Sequence, residues 1–167
     1  MNFQELQTRL CRNLIESEWH QHPNGKGWVQ NTARVDSSVY VFGSAQVFGN
    51  ARVLGDARVY GNAQVSGSAR VFGDAWVSGS AQVSGDARVS GDAWEISPLF
   101  MHGSKHSVTT CSHTSLQIGC KKFTVSEWKL KFREIGQQEE YNESEIREYG
   151  IIIERAARWL ESKFPSV

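Results

Sequence analysis

Along residues 31–94 the apolar positions recur with a period of six. Small residues stand at Ala33, Ala45, Ala51, Ala57, Ala63, Ala69, Ala75, Ala81, Ala87 and Ala93, with Val39 filling the one gap. Two residues after each comes a valine, at Val35, Val41, Val47, Val53, Val59, Val65, Val71, Val77, Val83 and Val89, until Glu95 breaks the series. Residues i and i+2 of an extended strand point to one side, so each unit predicts a three-residue strand, small–polar–valine. From Gly43 onward most units carry glycine midway, followed by Asp, Asn or Ser. Glycine there supplies a positive φ, and the Asp or Asn caps the next strand. A six-residue unit cannot bury its own apolar side, so the units must stack on one another.

This motif resembles that of the hexapeptide-repeat family, over about residues 31–94, more than a third of the chain. The resemblance implies a left-handed parallel β-helix with three hexads per coil, hence an 18-residue period. The polar residue between Ala and Val should then stack on the residue 18 later. One face reads Arg34, Arg52, Arg70, Arg88, the second Gln46, Gln64, Gln82, and the third Tyr40, Arg58, Trp76, Trp94. Two of the three columns are chemically uniform, as a true coil period requires.

A thin core of valine and alanine leaves the ends of such a prism open, so caps are needed. Phe3, Leu6, Leu10, Leu14 and Ile15 follow helical spacing and predict an uncapped amphipathic helix over residues 2–19, covering one end or corner. Residues 20–27, with Pro23, Gly25 and Gly27, predict a turn into the first coil. Beyond Trp94, residues 106–111 and 115–120 predict a hairpin. Thr124 and Glu127 form a capping box for a helix to about Ile135, and Gly136 is its stop. Asn142 caps a second helix to about Lys163 with Ile146, Tyr149, Ile153, Ala157 and Leu160 in one stripe. The fold expected is mainly β, a left-handed parallel β-helix of three hexads per coil with an N-terminal helix and a C-terminal α+β module. Its segments are 1–27 for the helix and turn, 28–96 for the β-helix and 97–167 for the hairpin and two helices. This layout resembles phage and prophage hexapeptide-repeat proteins of unassigned role.

Charge narrows the partners. Lys and Arg together number 18, as do Asp and Glu, so global charge attracts neither nucleic acid nor membrane. No stretch approaches the ~20 apolar residues that span a bilayer, and Glu5, Arg9, Arg12 and Glu16 break any signal-like run. A cytoplasmic setting is expected, the host cytoplasm for a phage-encoded chain. Cys11, Cys111 and Cys120 are an odd count and are expected as free thiols.

The arginine column carries the sharpest chemical question. Coils lie ~4.8 Å apart, so stacked guanidiniums repel unless neutralised. Asp56, Asp74 and Asp92, on the following corner, offer internal pairing. Alternatively, an interface covers the face, or Arg34, Arg52, Arg70 and Arg88 bind a phosphate or carboxylate. On the third face Arg58, Trp76 and Trp94 suit a planar ring or nucleobase through stacking and cation–π contact. The same aromatics, with Phe42, Phe48, Leu54 and Tyr60 at the corners, equally suit contact with another element or protomer. The glutamine column suits a ladder of hydrogen bonds. Ser104, Lys105 and His106, near Thr109, Thr110, His113 and Lys121, form either an anion site or an ordinary polar hairpin. With residues 112–115 as the turn, Cys111 and Cys120 stand ~13 Å apart, too far for a shared metal.

The family resemblance also raises catalysis. Family acyltransferases use a histidine in or near the coils as general base between subunits, and a loop often interrupts their hexads. Here no hexad between Ala45 and Ala93 is interrupted, and His20, His22, His102, His106 and His113 all lie outside the coils. Metal-dependent hydration on this fold needs several histidines along the coils, and none stands there. The expected function is therefore a non-enzymatic binding or scaffold protein, without cofactor or metal, forming the family's side-by-side homotrimer and open to a protein partner. A phage-type host-defence antagonist that sequesters a small anionic or nucleotide ligand is the first alternative. A coenzyme A-dependent acyltransferase is the second.

Overall fold

Two-residue strands joined by glycine corners build the first part of the chain. A computed structural model describes residues 1–91 and 93–165, so the expectations placed on Asp92 and on the side chain of Ala93 lie outside the described residues. The chain divides into two units, Met1–Pro98 and Leu99–Val167.

In the first unit, α1 (Phe3–Leu10) is followed by the antiparallel pair β1 (Trp19–Gln21) and β2 (Trp28–Gln30). Three parallel sheets then interleave. The arginine sheet holds β3 (Arg34–Val35), β6 (Arg52–Val53), β9 (Arg70–Phe72) and β12 (Arg88–Ser90). The aromatic sheet holds β4 (Tyr40–Val41), β7 (Arg58–Val59), β10 (Trp76–Val77) and β13 (Ala93–Trp94). The glutamine sheet adds β5 (Gln46–Val47), β8 (Gln64–Val65) and β11 (Gln82–Val83) to β2. Arg52 lies opposite Arg70, and Gln46 opposite Gln64, so successive coils are 18 residues apart. The expected β-helix class is what the chain forms.

Alternation explains the core. Val39, Ala45 and every repeat alanine and valine from Val41 to Val89 are buried, because these positions point inward while the residue between them points out. Backbone groups bond from coil to coil, as Arg52 N–H to the Ala69 carbonyl at 2.9 Å. The corners demand glycine twice over. Gly67 has φ +67°, and a Cβ there would sit 3.0 Å from the Gly85 nitrogen of the next coil.

The last coil departs from the expected register. Trp76 lies opposite Ala93 and Val77 opposite Trp94, so this step is 17 residues. A one-residue slip moves a side chain to the other face. Trp94 therefore leaves the outer aromatic column and is fully buried, on the rung of the inward-facing Val77.

The N-terminal segment is also corrected. Its helix ends at Leu10, not residue 19, because Cys11 turns left-handed at φ 50°. It has a cap after all, since Asn2 and Glu5 form a reciprocal capping box. Leu14 still reaches the cluster of Leu6, Trp19 and Trp28 by a non-helical route, while Ile15 is exposed. Residues 20 and 21 belong to β1, so the expected turn is the end of a hairpin.

The second unit has more sheet than the expected hairpin. β14 (Phe100–His102), β15 (Ser107–Thr110), β16 (Ser115–Ile118) and β17 (Lys121–Thr124) form an antiparallel meander. It packs against α2 (Val125–Gln138) and α3 (Glu143–Lys163). Both helices carry the expected caps, Thr124 with Glu127 and Asn142 with Glu145. Gly136 is not the stop. α2 runs through it, and a Cβ there would sit 2.8 Å from Ile146, so the glycine lets α3 approach. Among the described residues no helix is long and apolar enough to cross a membrane.

Candidate functional site

The arginine sheet brings Arg34, Arg52, Arg70 and Arg88 into consecutive rungs. Arg34, Arg52 and Arg70 are exposed and Arg88 is half-buried. Among the described residues no ion pair joins Arg34, Arg52 or Arg70 to the corner aspartates; the ion pairs there lie in the second unit. Three other polar corner residues serve the backbone. Asp36 accepts from the Gly55 N–H at 3.4 Å, while Thr32 and Ser38 hydroxyls donate to the Gly49 and Gly55 carbonyls at 2.6 Å. Corner side chains thus run along the corner from coil to coil, and the arginines stand out from a flat face. Such a row can hold an extended anion or be neutralised by a neighbouring molecule.

The aromatic sheet offers the other chemistry. Tyr40, Arg58 and Trp76 occupy successive rungs, as expected. Their neighbours Phe42 and Tyr60 follow Val41 and Val59 at the corner and turn outward with them. Phe42 is 60% exposed, Tyr40 48% and Trp76 41%, values far above those of the inward column. The Arg58 guanidinium lies 4.9 Å from the centre of the Trp76 ring, and Tyr60 meets the same ring edge-on at 6.3 Å. Tyr40, Phe42, Arg58 and Tyr60 line a shallow depression of about 320 Å³. Phe42 and Tyr60 belong to this site although the strand pattern alone marks them only as corners. The signal was available, because both follow an inward valine and so alternate outward. Trp94 is not part of the site.

The glutamine sheet is half covered. Gln46 is fully buried, Gln64 is half-buried and Gln82 is exposed, while α1, Trp19, Trp28 and Phe48 cluster around the start of this sheet. The Gln46 amide donates to the Ser44 carbonyl at 3.3 Å, and its buried Oε1 has no hydrogen-bond partner. The expected glutamine ladder is not formed among the described residues.

The loop at 103–106 is tied down from within its own unit. The Ser104 N–H donates to Glu148 at 2.9 Å, and the Lys105 and His106 N–H groups donate to the Tyr149 hydroxyl at 3.1 and 2.6 Å. That hydroxyl donates in turn to the His106 carbonyl at 2.9 Å. Lys105 pairs with Glu145 at 3.4 Å and lies over the Tyr141 ring. Burial and the neighbouring Tyr149 push the Tyr141 phenol well above its ordinary pKa, so it stays protonated. Donors already engaged in this way make the loop a structural joint. The Ser104, Lys105 and His106 side chains are exposed.

The histidines hold structural contacts. His20 Nδ1 meets Asn31 at 2.8 Å, His22 is buried beside Asn24, and His113 stacks on Phe164 with 3.8 Å between ring centres. Among the described residues no three His, Cys, Asp or Glu side chains gather as a metal site.

Residues 45–61, 63–79 and 81–96 each match the family model described as the YdcK beta solenoid repeat. No curated protein and no solved structure matches the chain significantly. The matched segments begin at Ala45, Ala63 and Ala81, each one coil after the last, so the family's unit is the coil whose ladders are described above. Parallel ladders and coil-long repeats together place this chain among the repeat β-helix proteins, with residues 45–96 similar to the YdcK beta solenoid repeat.

Proposed function

We propose that this chain is a non-enzymatic binding scaffold that self-associates as a homotrimer through the aromatic face of its solenoid. One observation carries the reading: Tyr40, Arg58 and Trp76 stand exposed on consecutive rungs of one sheet, with Phe42 exposed at the adjoining corner. Aromatic residues and arginine are the types enriched in interface cores, and a contiguous apolar patch costs free energy while it faces water. A flat face repeated on each copy closes into a ring when three prisms stand side by side. The histidine contacts favour a binder over an enzyme. General-base catalysis needs an imidazole in reach of substrate, and His20 and His22 are engaged with asparagines outside the coils. We place the protein in the cytoplasm, that of the host for a phage-encoded chain.

Sequestration of a small anionic or nucleotide ligand is the second reading, favoured by the Arg58–Trp76 pair beside its depression. A planar anion stacked there would meet both a π face and a cation, between subunits. Native mass spectrometry of protein purified from its own host separates these readings. A bare trimer is the expected result, and a monomer at every concentration would sink the scaffold reading. A trimer with a reproducible small-molecule adduct moves the assignment to sequestration. Consumption of acetyl-CoA by the purified protein would overturn both in favour of acyl transfer.

A further inference from the structure

The second unit carries a cationic groove that the solenoid reading does not use. α2 and α3 pack side by side, and between their outer faces runs an open groove of about 460 Å³. Its rim is Lys129 and Arg133 from α2 with Arg147, Arg155 and Arg158 from α3. Against these five cations stands one carboxylate, Glu154, which pairs with Lys129 at 3.2 Å across the two helices. Among the described residues no ion pair engages Arg133, Arg147, Arg155 or Arg158. The concentration is local, since the whole chain balances 18 cations with 18 anions.

The floor is apolar. Phe132 lies in the groove because Gly150 has no side chain; a Cβ there would sit 2.9 Å from the Phe132 ring. Ile151 is 53% exposed along the floor.

Length and chemistry select the occupant. On α3 the arginines run from 147 to 158, eleven residues or ~16 Å of helix. A single phosphate would touch only a fraction of that row. A nucleic-acid backbone would use the cations but would leave Ile151 against polar phosphates, and the one aromatic of the groove, Phe132, is half-buried with the Arg133 guanidinium over its ring rather than free to stack a base. An amphipathic peptide helix of about three turns matches both features, with carboxylates on the rim and aliphatic side chains on the floor. We propose that the α2–α3 groove docks an acidic amphipathic segment of a partner protein. This is independent of solenoid self-association, so either can fail alone.

The test uses the full chain and fluorescence anisotropy. The probe is a labelled helical peptide of leucine and glutamate at three- and four-residue spacing. A glutamine-for-glutamate version, duplex DNA and inorganic polyphosphate serve as competitors. The glutamate peptide should bind, and more weakly as salt rises. Arg155→Glu with Arg158→Glu should weaken it at least tenfold, while Arg9→Glu with Arg12→Glu, an equal change in net charge, should not. Arg12, Arg155 and Arg158 are exposed and Arg9 is half-buried, and an unchanged thermal melt verifies that both variants fold. No binding of the glutamate peptide by the unmodified chain, or equal binding of the glutamine version, overturns the proposal. So does tighter binding of DNA or polyphosphate through the same arginines.

Discussion

Trp94 and Trp128 are both buried indoles, yet they sit in two differently organised units. Around Trp94 the core is a set of columns, alanine on alanine and valine on valine, in which each coil meets only its neighbours. Around Trp128 the core draws large side chains from every element of its unit, Leu116, Phe123, Phe132, Tyr149 and Ile153 among them. Its indole N–H donates to the Leu116 carbonyl at 2.9 Å and its ring meets Phe123 edge-on. Solenoid stability is thus a sum of coil-to-coil terms, whereas the meander and helices depend on one shared cluster. A solenoid can absorb a 17-residue step at its last coil because only one neighbour must adjust. A shared cluster has no such freedom.

Removing Trp128 should strain this comparison most. Trp128→Ala should cost the second unit about 3–5 kcal/mol, enough to unfold it. Hydrogen exchange should then show residues 99–165 losing protection while 28–91 keep theirs. Simultaneous loss in both units would show a single cooperative structure and dissolve the contrast.

Corner substitutions come next. Gly67→Ala meets both a positive φ and the Gly85 backbone, while Gly73→Ala meets the positive φ with nothing among the described residues within 4 Å of its Cβ. The left-handed conformation costs an alanine about 1–2 kcal/mol. Urea melts should place Gly73→Ala in that range and Gly67→Ala clearly above it. Equal losses would mean that coil-to-coil contact at the corner contributes nothing.

A smaller effect has the opposite sign. Gln46→Met keeps the volume and removes a buried Oε1 that has no partner. The first unit should gain about 1 kcal/mol, read as a higher melting temperature; a loss would show that the Ser44 contact of Gln46 outweighs the orphaned oxygen.

Acid supplies the smallest. Hydrogen bonds from Thr124 hold the Glu127 carboxyl below its ordinary value of 4.5. The unfolded chain therefore takes up that proton first, so the contribution is present above pH 4.5 and fades as pH falls through the lower folded value. Glu127→Gln should flatten the acid limb of the second unit's stability and leave the first unit unchanged. An unaltered acid limb would remove Glu127 from that role.

The sequence was most informative where the structure is repetitive. The 18-residue register can be read from Arg34, Arg52 and Arg70 because identical outward residues recur in identical surroundings. The same regularity hid the last step: Ala93 keeps the hexad spacing, and only Glu95, standing where the series calls for an inward valine, marks the slip that turns Trp94 inward and leaves Glu95 exposed. The corner aspartates are a partial case: spacing placed Asp56 and Asp74 beside the arginine column, yet no ion pair joins either to Arg34, Arg52 or Arg70 among the described residues. In the second unit, capping residues fixed the helix starts, whereas β14 and β17 stayed hidden because three- and four-residue strands with mixed polarity carry little periodic signal. The aromatic site was largely visible in Tyr40, Arg58 and Trp76. The groove of α2 and α3 was not, since its cations are scattered along the chain and meet only when the helices pair.

Sedimentation velocity of the unmodified chain beside a Phe42→Ser, Trp76→Ser variant tests the central claim most directly. Both side chains are exposed, so the variant keeps its fold. A trimer that becomes a monomer in the variant is the predicted result. A monomer in both, or a trimer in both, contradicts the assignment of the aromatic face as the surface of self-association.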